Sequence, residues 1–286
     1  MLLCVYRGML TVVETEPVMS ERVTIEIRDH VAEVSLNRPE KYNALDREMF
    51  RAIIEAGESL AGRSDVRAVV LRGAGGNFSA GIDTSTFTQP QGEGPGFAAE
   101  VMQPRGDTPA NEFQSPAWVW KALPVPVIAA LEGVVFGGGL QVALGADIRY
   151  ATPDARLSVM EIKWGLIPDM GLTHTLRGVM PLDRLKELTY SGRIVNGREA
   201  AELGLVTAVK SEPLEAARGL AAEIAGRSPD AIRAGKRLLE EVFVGDGAAG
   251  LALEAKLQSA LMLQPNQVEA VTANLQKRAP RFRDPE

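Results

Sequence analysis

LPVPVIAALEGVVFGGGLQVALGADIRYA, Leu123–Ala151, is the stretch on which the fold turns. Val125–Leu131 is an apolar run of strand length. Gly137-Gly138-Gly139 then leads into Leu140–Leu144, which reads as a helix, and Ile148–Ala151 reads as a further strand. Strand, glycine turn, helix and strand in succession is the pattern of an α/β fold. The triplet also carries chemistry. The first N–H groups of a helix have no intrahelical partner, and glycine leaves no Cβ between them and a ligand. Such a helix start is partly positive and suits an anion or a developing oxyanion. Tight packing is the alternative account of the three glycines.

Toward the N-terminus, Val66–Leu71 reads as a buried strand that runs into the glycine-rich turn Gly73–Gly76. Val23, Ile25 and Ile27 alternate with polar residues, Asp29-His30 turns the chain, and Val31–Leu36 completes a strand pair. Asp46 is placed to cap a helix with the apolar stripe Phe50, Ile53, Ile54, Gly57 and Leu60. Toward the C-terminus, Leu157–Ile162 reads as short and extended, helices are expected over 170–179 and 182–190, and Asn196 caps a short helix through Leu203. Val206–Val209 is the last strand, and 213–277 reads as successive helices. Residues 84–110, rich in glycine and proline, read as a loop. Residues 1–20 read as a loose N-terminal extension, 21–210 as the core and 211–286 as a helical region.

With 45% hydrophobic and 24% charged residues, the 286-residue chain has the composition of a soluble globular protein. A net charge of −6 without a dense basic block argues against a nucleic-acid surface. One cysteine and two histidines exclude zinc sites of the Cys/His type, and the lone Cys4 fits a reducing compartment. No stretch approaches the ~18 apolar residues of a membrane span, and no secretory signal is seen at the N-terminus. These features together predict a cytoplasmic protein with no membrane partner.

Among the polar residues, Glu161 follows the apolar run Leu157–Met160, where an acid needs a reason. Asp169 stands eight residues on, after Pro168, as either a helix cap or a second chemical group. Gln141 lies about one helical turn after Gly138 and is placed to look back at whatever the glycines bind; a core-edge glutamine is the alternative. Gly73–Gly76 is no dinucleotide loop, because Phe78 stands where the third glycine would be. Ser79 lacks the glycine two residues before it that a nucleophile elbow requires.

Together these residues resemble the crotonase superfamily, the enoyl-CoA hydratases and isomerases. Beside Leu123–Ala151, the matching pieces are NRPEKYNAL (Asn37–Leu45), FSAGID (Phe78–Asp83) and LSVMEIKWGLIPDMGLTHTL (Leu157–Leu176). LTYSGRIVNGREAAELGLV (Leu188–Val206), SPDAIRAGKRLL (Ser228–Leu239) and KRAPRF (Lys277–Phe282) follow in order. The resemblance implies a spiral of ββα units followed by a C-terminal helical region that trimerises, giving a homotrimer or a dimer of trimers. It implies an acyl-CoA thioester substrate whose carbonyl oxygen is held by the backbone N–H groups of Ile82 and Gly138. Arg38, Lys41, Asn43, Ala44, Ala80, Gly81, Asp83 and Gly137 correspond to positions along the CoA groove. Arg38 and Lys41 are candidates for its phosphates or for a solvated surface pair. No separate cofactor and no metal is implied, because coenzyme A is carried by the substrate.

One departure bears on the reaction. Typical hydratases of the family place two glutamates about the substrate; Glu161 matches the second, and Gln141 stands in place of the first. An amide does not take up and return a proton near neutral pH. Dienoyl-CoA isomerases of the superfamily carry an aspartate where Asp169 stands, and other isomerases use a single carboxylate. The resemblance therefore favours isomerisation of an enoyl- or dienoyl-CoA with Glu161 as base and Asp169 as a second group. Hydration by Glu161 with a water held by Gln141 is the alternative, and a non-catalytic acyl-CoA-binding paralogue is the third.

Overall fold

Asp29 and His30 both adopt left-handed backbone, with φ of 49° and 68°. Two such residues in a row make the tight turn that suits the twist of a hairpin, and they join β1 (Val23–Arg28) to β2 (Val31–Leu36) in antiparallel register, Val23 opposite Leu36. Every later neighbour in this sheet is parallel: β3 (Ala68–Gly73) beside β2, β4 (Val127–Leu131) beside β3, β6 (Ile148–Ala151) beside β4, and β9 (Ala208–Val209) beside β6. A second, three-stranded sheet holds β5 (Val134–Phe136), β7 (Arg156–Ser158) and β8 (Val195–Asn196) in the order β5-β7-β8. The chain steps from one sheet to the other, β4 to β5 and β6 to β7. Ser79, after β3, makes a lone parallel bridge to Val135 of β5 and so extends the same step by one turn. The chain is α/β, with two sheets built from repeated strand pairs and helices between and after them.

This computed structural model describes residues 21–85, 102–242 and 264–284, with 256, 258, 260 and 261 between them. The expected extension 1–20, most of the 84–110 loop and much of 243–263 lie outside the described residues.

Helix α1 (Arg47–Ala61) starts where expected: the Asp46 carboxylate accepts the Met49 N–H at 2.8 Å. Its buried stripe, Met49, Phe50, Ile53, Ile54 and Leu60, faces the core. Gly57 lets α1 approach α2 (Ser115–Ala122), since a Cβ there would stand 2.6 Å from the Val119 Cβ. After α2 come α3 (Gly138–Leu144), α4 (Leu172–Thr175), α5 (Leu182–Ser191), α6 (Gly197–Glu202), α7 (Pro213–Ala225), α8 (Pro229–Val242) and α9 (Pro265–Leu275). Asn196 caps α6 by accepting the Glu199 N–H at 3.0 Å. The large core lies on the α1–α3 side of the sheet. On the other face Ala217 and Ala221 of α7 bury Ala68, Val70, Ile128 and Ala130. That double cover explains why β4 is apolar and buried throughout. Among the described residues no helix is long and apolar enough to cross a membrane.

Arg67, just before β3, is 8% exposed. Its guanidinium donates to Asp284 Oδ1 at 2.7 Å and to the carbonyls of Phe282 and Ala225. Residues 282–284 are thereby tied to the start of the third strand.

Three expected elements are corrected. The extended reading of Leu157–Ile162 ends at Ser158, and Glu161–Trp164 forms a 3-10 turn closed by Gly165 at φ 69°. The helix expected over 170–179 is only Leu172–Thr175, bracketed by Gly171 and Gly178 in left-handed backbone. The last strand is shorter than Val206–Val209, pairing only over Ala208–Val209. Strands β5 and β8 were not expected; three and two residues are too short for a periodic signal.

Candidate active site

The glycine triplet sits where β5 gives way to α3. Gly137 has φ 48° and ψ −122°, backbone that a residue with a Cβ rarely adopts, and Gly138 begins the helix. Its N–H has no carbonyl of its own helix to meet, and it donates to no group among the described residues. Gly139 lies so close to Ser79 that a Cβ would stand 2.6 Å from the serine Cβ. The Phe78–Asp83 loop is therefore laid directly along the start of α3.

That loop is pinned from both sides. Ser79 donates its backbone N–H to Val134 O at 3.0 Å and accepts from Phe136 N–H at 3.0 Å. Its hydroxyl donates to Asn43 O at 2.8 Å and accepts the Gly81 N–H at 3.2 Å. Leu45 N–H donates to Gly81 O, and Asp83 N–H donates to Leu45 O. The Ile82 N–H lies between these bonds and makes none among the described residues. The Ile82 side chain reaches Gly138: a Cβ on that glycine would stand 3.3 Å from Ile82 Cδ1. Two unspent backbone donors thus stand on neighbouring segments, an arrangement suited to a developing oxyanion.

Glu161 is 8% exposed and lies over Gly137, where a Cβ would stand 3.5 Å from its Oε1. Oε1 accepts from Gln141 Nε2 at 2.6 Å, while Oε2 is buried with no hydrogen-bond partner among the described residues. Burial pushes the Glu161 carboxyl above its ordinary range; nearby backbone N–H groups and the Gln141 amide offset this in part, and the charge of Asp169 adds to the rise. An acid raised in this way, with one oxygen held and the other unsatisfied, is equipped to take up a proton.

Gln141, 1% exposed, accepts the Met170 N–H on its Oε1 at 2.8 Å. It therefore spends a donor and an acceptor inside the protein. Asp169, next to Met170, caps no helix: the N-cap of α4 is Gly171, with no side-chain capping bond. Its carboxyl is open to solvent on one side, yet packing around it raises its pKa. Glu161, Gln141, Asp169, Ile82 and Gly138 are thus brought together from four separate segments.

The residues matched to the CoA groove divide. Arg38 is mostly buried and donates to Asp83 Oδ2 at 2.6 Å and to Ala44 O at 3.2 Å. Bonds from the Ser85 backbone and Arg38 hold the Asp83 carboxyl down at about 2. Asn43 is fully buried, accepting from Arg38 N–H and donating to the carbonyls of Ala74 and Asn77. These residues brace the loops. Lys41 is exposed and pairs with no acid among the described residues, and Ala80 donates its N–H to Tyr42 O.

Met170 escaped the sequence reading; besides its backbone bond to Gln141, its sulfur would stand 2.9 Å from a Cβ on Gly138. Ser79, which fits no nucleophile elbow, holds the donor loop; its place inside FSAGID is the available signal. A cleft of about 350 Å³ opens between α2 and α4, lined by Gln114, Trp118, Thr173 and His174 among others. The Trp118 and His174 rings lie 5.3 Å apart. Trp120, two residues on in the same helix, is fully buried in the core.

Comparison with known proteins follows the same lines. The family described as enoyl-CoA hydratase/isomerase matches residues 26–285. The mitochondrial Delta(3,5)-Delta(2,4)-dienoyl-CoA isomerase of Mus musculus is 35% identical over 87% of this chain and 77% of its own. Enoyl-CoA hydratase EchA19 of Mycobacterium tuberculosis is 30% identical over 91% of this chain and 96% of its own. The crystal structure of an enoyl-CoA hydratase from Bacillus anthracis superposes with a TM-score of 0.83 at 28% identity, covering 92% of this chain and all of that one.

Proposed function

Since this chain belongs to the enoyl-CoA hydratase/isomerase family, we propose that it moves a double bond in an enoyl- or dienoyl-CoA, with Glu161 as the proton-transfer base. The buried, unpartnered Oε2 of Glu161 is the observation that carries this reading. Oε2 removes a proton from the carbon next to the thioester carbonyl. The C–H electron pair moves into an enolate whose oxygen takes hydrogen bonds from the Ile82 and Gly138 N–H groups. The far end of the conjugated enolate then takes a proton. For a 3-enoyl thioester the protonated Glu161 returns it; for a 3,5-dienoyl thioester Asp169, exposed to water, relays one from solvent. In the second case Glu161 releases to solvent the proton it took, so the balance closes.

Two features support isomerisation over addition of water. Gln141 is already bonded on both sides, to Glu161 and to Met170, which leaves it poorly placed to prepare a water. Burial moves both carboxyl groups upward, the direction that suits groups passing a proton near neutral pH. The acyl tail is assigned to the cleft between α2 and α4, with Trp118 and His174 as its walls, and Lys41 to the coenzyme A phosphates. A homotrimer or dimer of trimers is part of the same reading. It is supported by the exposed run Ile162, Trp164, Leu166 and Ile167 directly after Glu161.

Parallel assays of the purified protein on crotonyl-CoA, a 3-enoyl-CoA and a 3,5-dienoyl-CoA test the proposal. Double-bond migration well above hydration is expected. Hydration of crotonyl-CoA as the dominant activity overturns it in favour of the hydratase chemistry named for the M. tuberculosis and B. anthracis relatives.

A further inference from the structure

We propose that Gln141 is a positioning residue: its single amide holds Glu161 through the nitrogen and the Asp169–Met170 segment through the oxygen, fixing both carboxyl groups relative to the Gly138 donor. The inference rests on the roles given to Glu161 and Asp169 above, and it assigns Gln141 no contact with the substrate.

The geometry supplies each link. The Gln141 backbone N–H donates to Gly137 O at 3.0 Å, so the side chain springs from the turn of α3 that presents the Gly138 N–H. Nε2 meets Glu161 Oε1 at 2.6 Å, and Oε1 takes the Met170 N–H at 2.8 Å. The first bond selects which Glu161 oxygen is held and which is left for the substrate. The second ties the residue next to Asp169 to the same amide. Helix α3, the turn after β7 and the segment before α4 have no other side-chain bond in common among the described residues.

An amide performs both tasks uncharged at any pH near neutrality. It is at once a donor and an acceptor, whereas an ionised carboxylate has no proton to give to Glu161 and repels it. Leucine or methionine would fill the space with neither bond. Gln141 thus differs from a third acid in kind: it leaves proton traffic to Glu161 and Asp169 and keeps them in register. The charge of Asp169 adds to the rise of the Glu161 carboxyl, so loosening the amide alters both that influence and the direct bond.

The test uses full-length protein carrying Gln141→Met, which keeps the length of the side chain, and Gln141→Glu. The Glu161 carboxyl is followed by carbon-13 NMR in glutamate-labelled protein without substrate, its signal identified by its loss in Glu161→Gln. In Gln141→Met the titration of Glu161 should move upward by about half a pH unit or more, because a bond to its ionised form is gone. Turnover should fall about tenfold or more with KM within about threefold, the pattern of lost positioning. In Gln141→Glu, activity should return toward acid pH, where the introduced carboxyl is protonated and can again donate to Glu161 and accept from Met170, and should fade as pH rises. A folded Gln141→Met whose Glu161 titration and turnover match the wild type overturns the inference. If that variant fails to fold, Gln141→Glu decides: an unshifted Glu161 titration and a wild-type pH profile overturn it equally. The NMR measurement needs no reaction, so a shifted Glu161 in a protein that isomerises nothing supports the positioning and removes the proposed reaction instead.

Discussion

Gly81 and Gly138 face each other so closely that a Cβ on Gly81 would stand 3.5 Å from the Gly138 nitrogen and 2.6 Å from the Phe136 carbonyl oxygen. With Gly81 at φ +86°, the two segments that carry the free N–H groups meet backbone to backbone. Gly138→Pro removes one donor at the first helical position, where proline is tolerated. Activity should drop about 10²–10³-fold with the fold retained, as judged by turnover beside a melting curve. Gly138→Ala, which keeps the N–H and crowds the flexible Met170 sulfur, should lose much less.

Glu161→Gln should lower turnover by about 10³ or more, at the upper part of the range for a general acid–base group, while acyl-CoA affinity stays within a few-fold. Steady-state kinetics together with calorimetric titration of a product acyl-CoA separates the two. Unchanged turnover would take Glu161 out of the chemistry.

The same substitution should stabilise the protein. The folded-state pKa of Glu161 lies above its unfolded value, chiefly through burial, so ionisation costs more in the folded chain. The wild type therefore loses stability as pH rises through the folded pKa, and Glu161→Gln does not. Melting temperatures should coincide below about pH 4, near the unfolded glutamate pKa, and diverge in favour of the variant at neutral pH. Activity and stability then move in opposite directions at one residue.

Asp169→Asn should raise the melting temperature at neutral pH, in the same direction as Glu161→Gln, because burial raises the Asp169 carboxyl and no helix cap is lost with it. It should cut dienoyl-CoA isomerisation more than about tenfold, as loss of an acid–base group does. It should also lower the pH of the Glu161 limb, since the Asp169 charge helps to raise that carboxyl. The pH–rate profiles of the two proteins check both points.

Asp83→Asn should destabilise the loop that presents Ile82. The Asp83 carboxyl is held at about 2, below its ordinary 3.8, with Arg38 2.6 Å away. A depressed pKa contributes stability above the unfolded value that is lost as pH falls through the folded one. The cost at pH 7 should be about 2 kcal/mol, converted from the shift, and should vanish toward pH 2. Denaturant unfolding across that range measures it.

What could be read from the sequence follows the range of the interactions. The glycine triplet, the Asp46 and Asn196 caps and the Asp29-His30 turn are decided by neighbours in the chain, and each stands where it was expected. Glu161 was identified as an acid after an apolar run, but its setting was not. Leu157 and Val159 alternate like a strand, while β7 stops at Ser158 and the chain turns. The parallel register of β5 and β7, Phe136 beside Ser158, brings this turn over Gly137. The bond from Gln141 to Glu161 depends on that register, and side-chain periodicity carries no trace of it. Arg38 is a similar case. It was read as a phosphate ligand or a solvated group, and its partner Asp83 is reached only through the bridge between Leu45 and Ile82.

The clasp between Arg67 and Asp284 spans 217 positions of the chain. During synthesis the hairpin, β3 and β4 emerge first and can pair in the order they appear, yet the guanidinium at the head of β3 must wait for a carboxylate translated long afterwards. Until then its one partner of the three is the Ala225 carbonyl at the end of α7, itself translated after the sheet strands β1–β6. Each new molecule therefore passes through a period in which its oldest strands are paired but not sealed. Sealing the head of β3 is thus left to residues translated long after the strand itself.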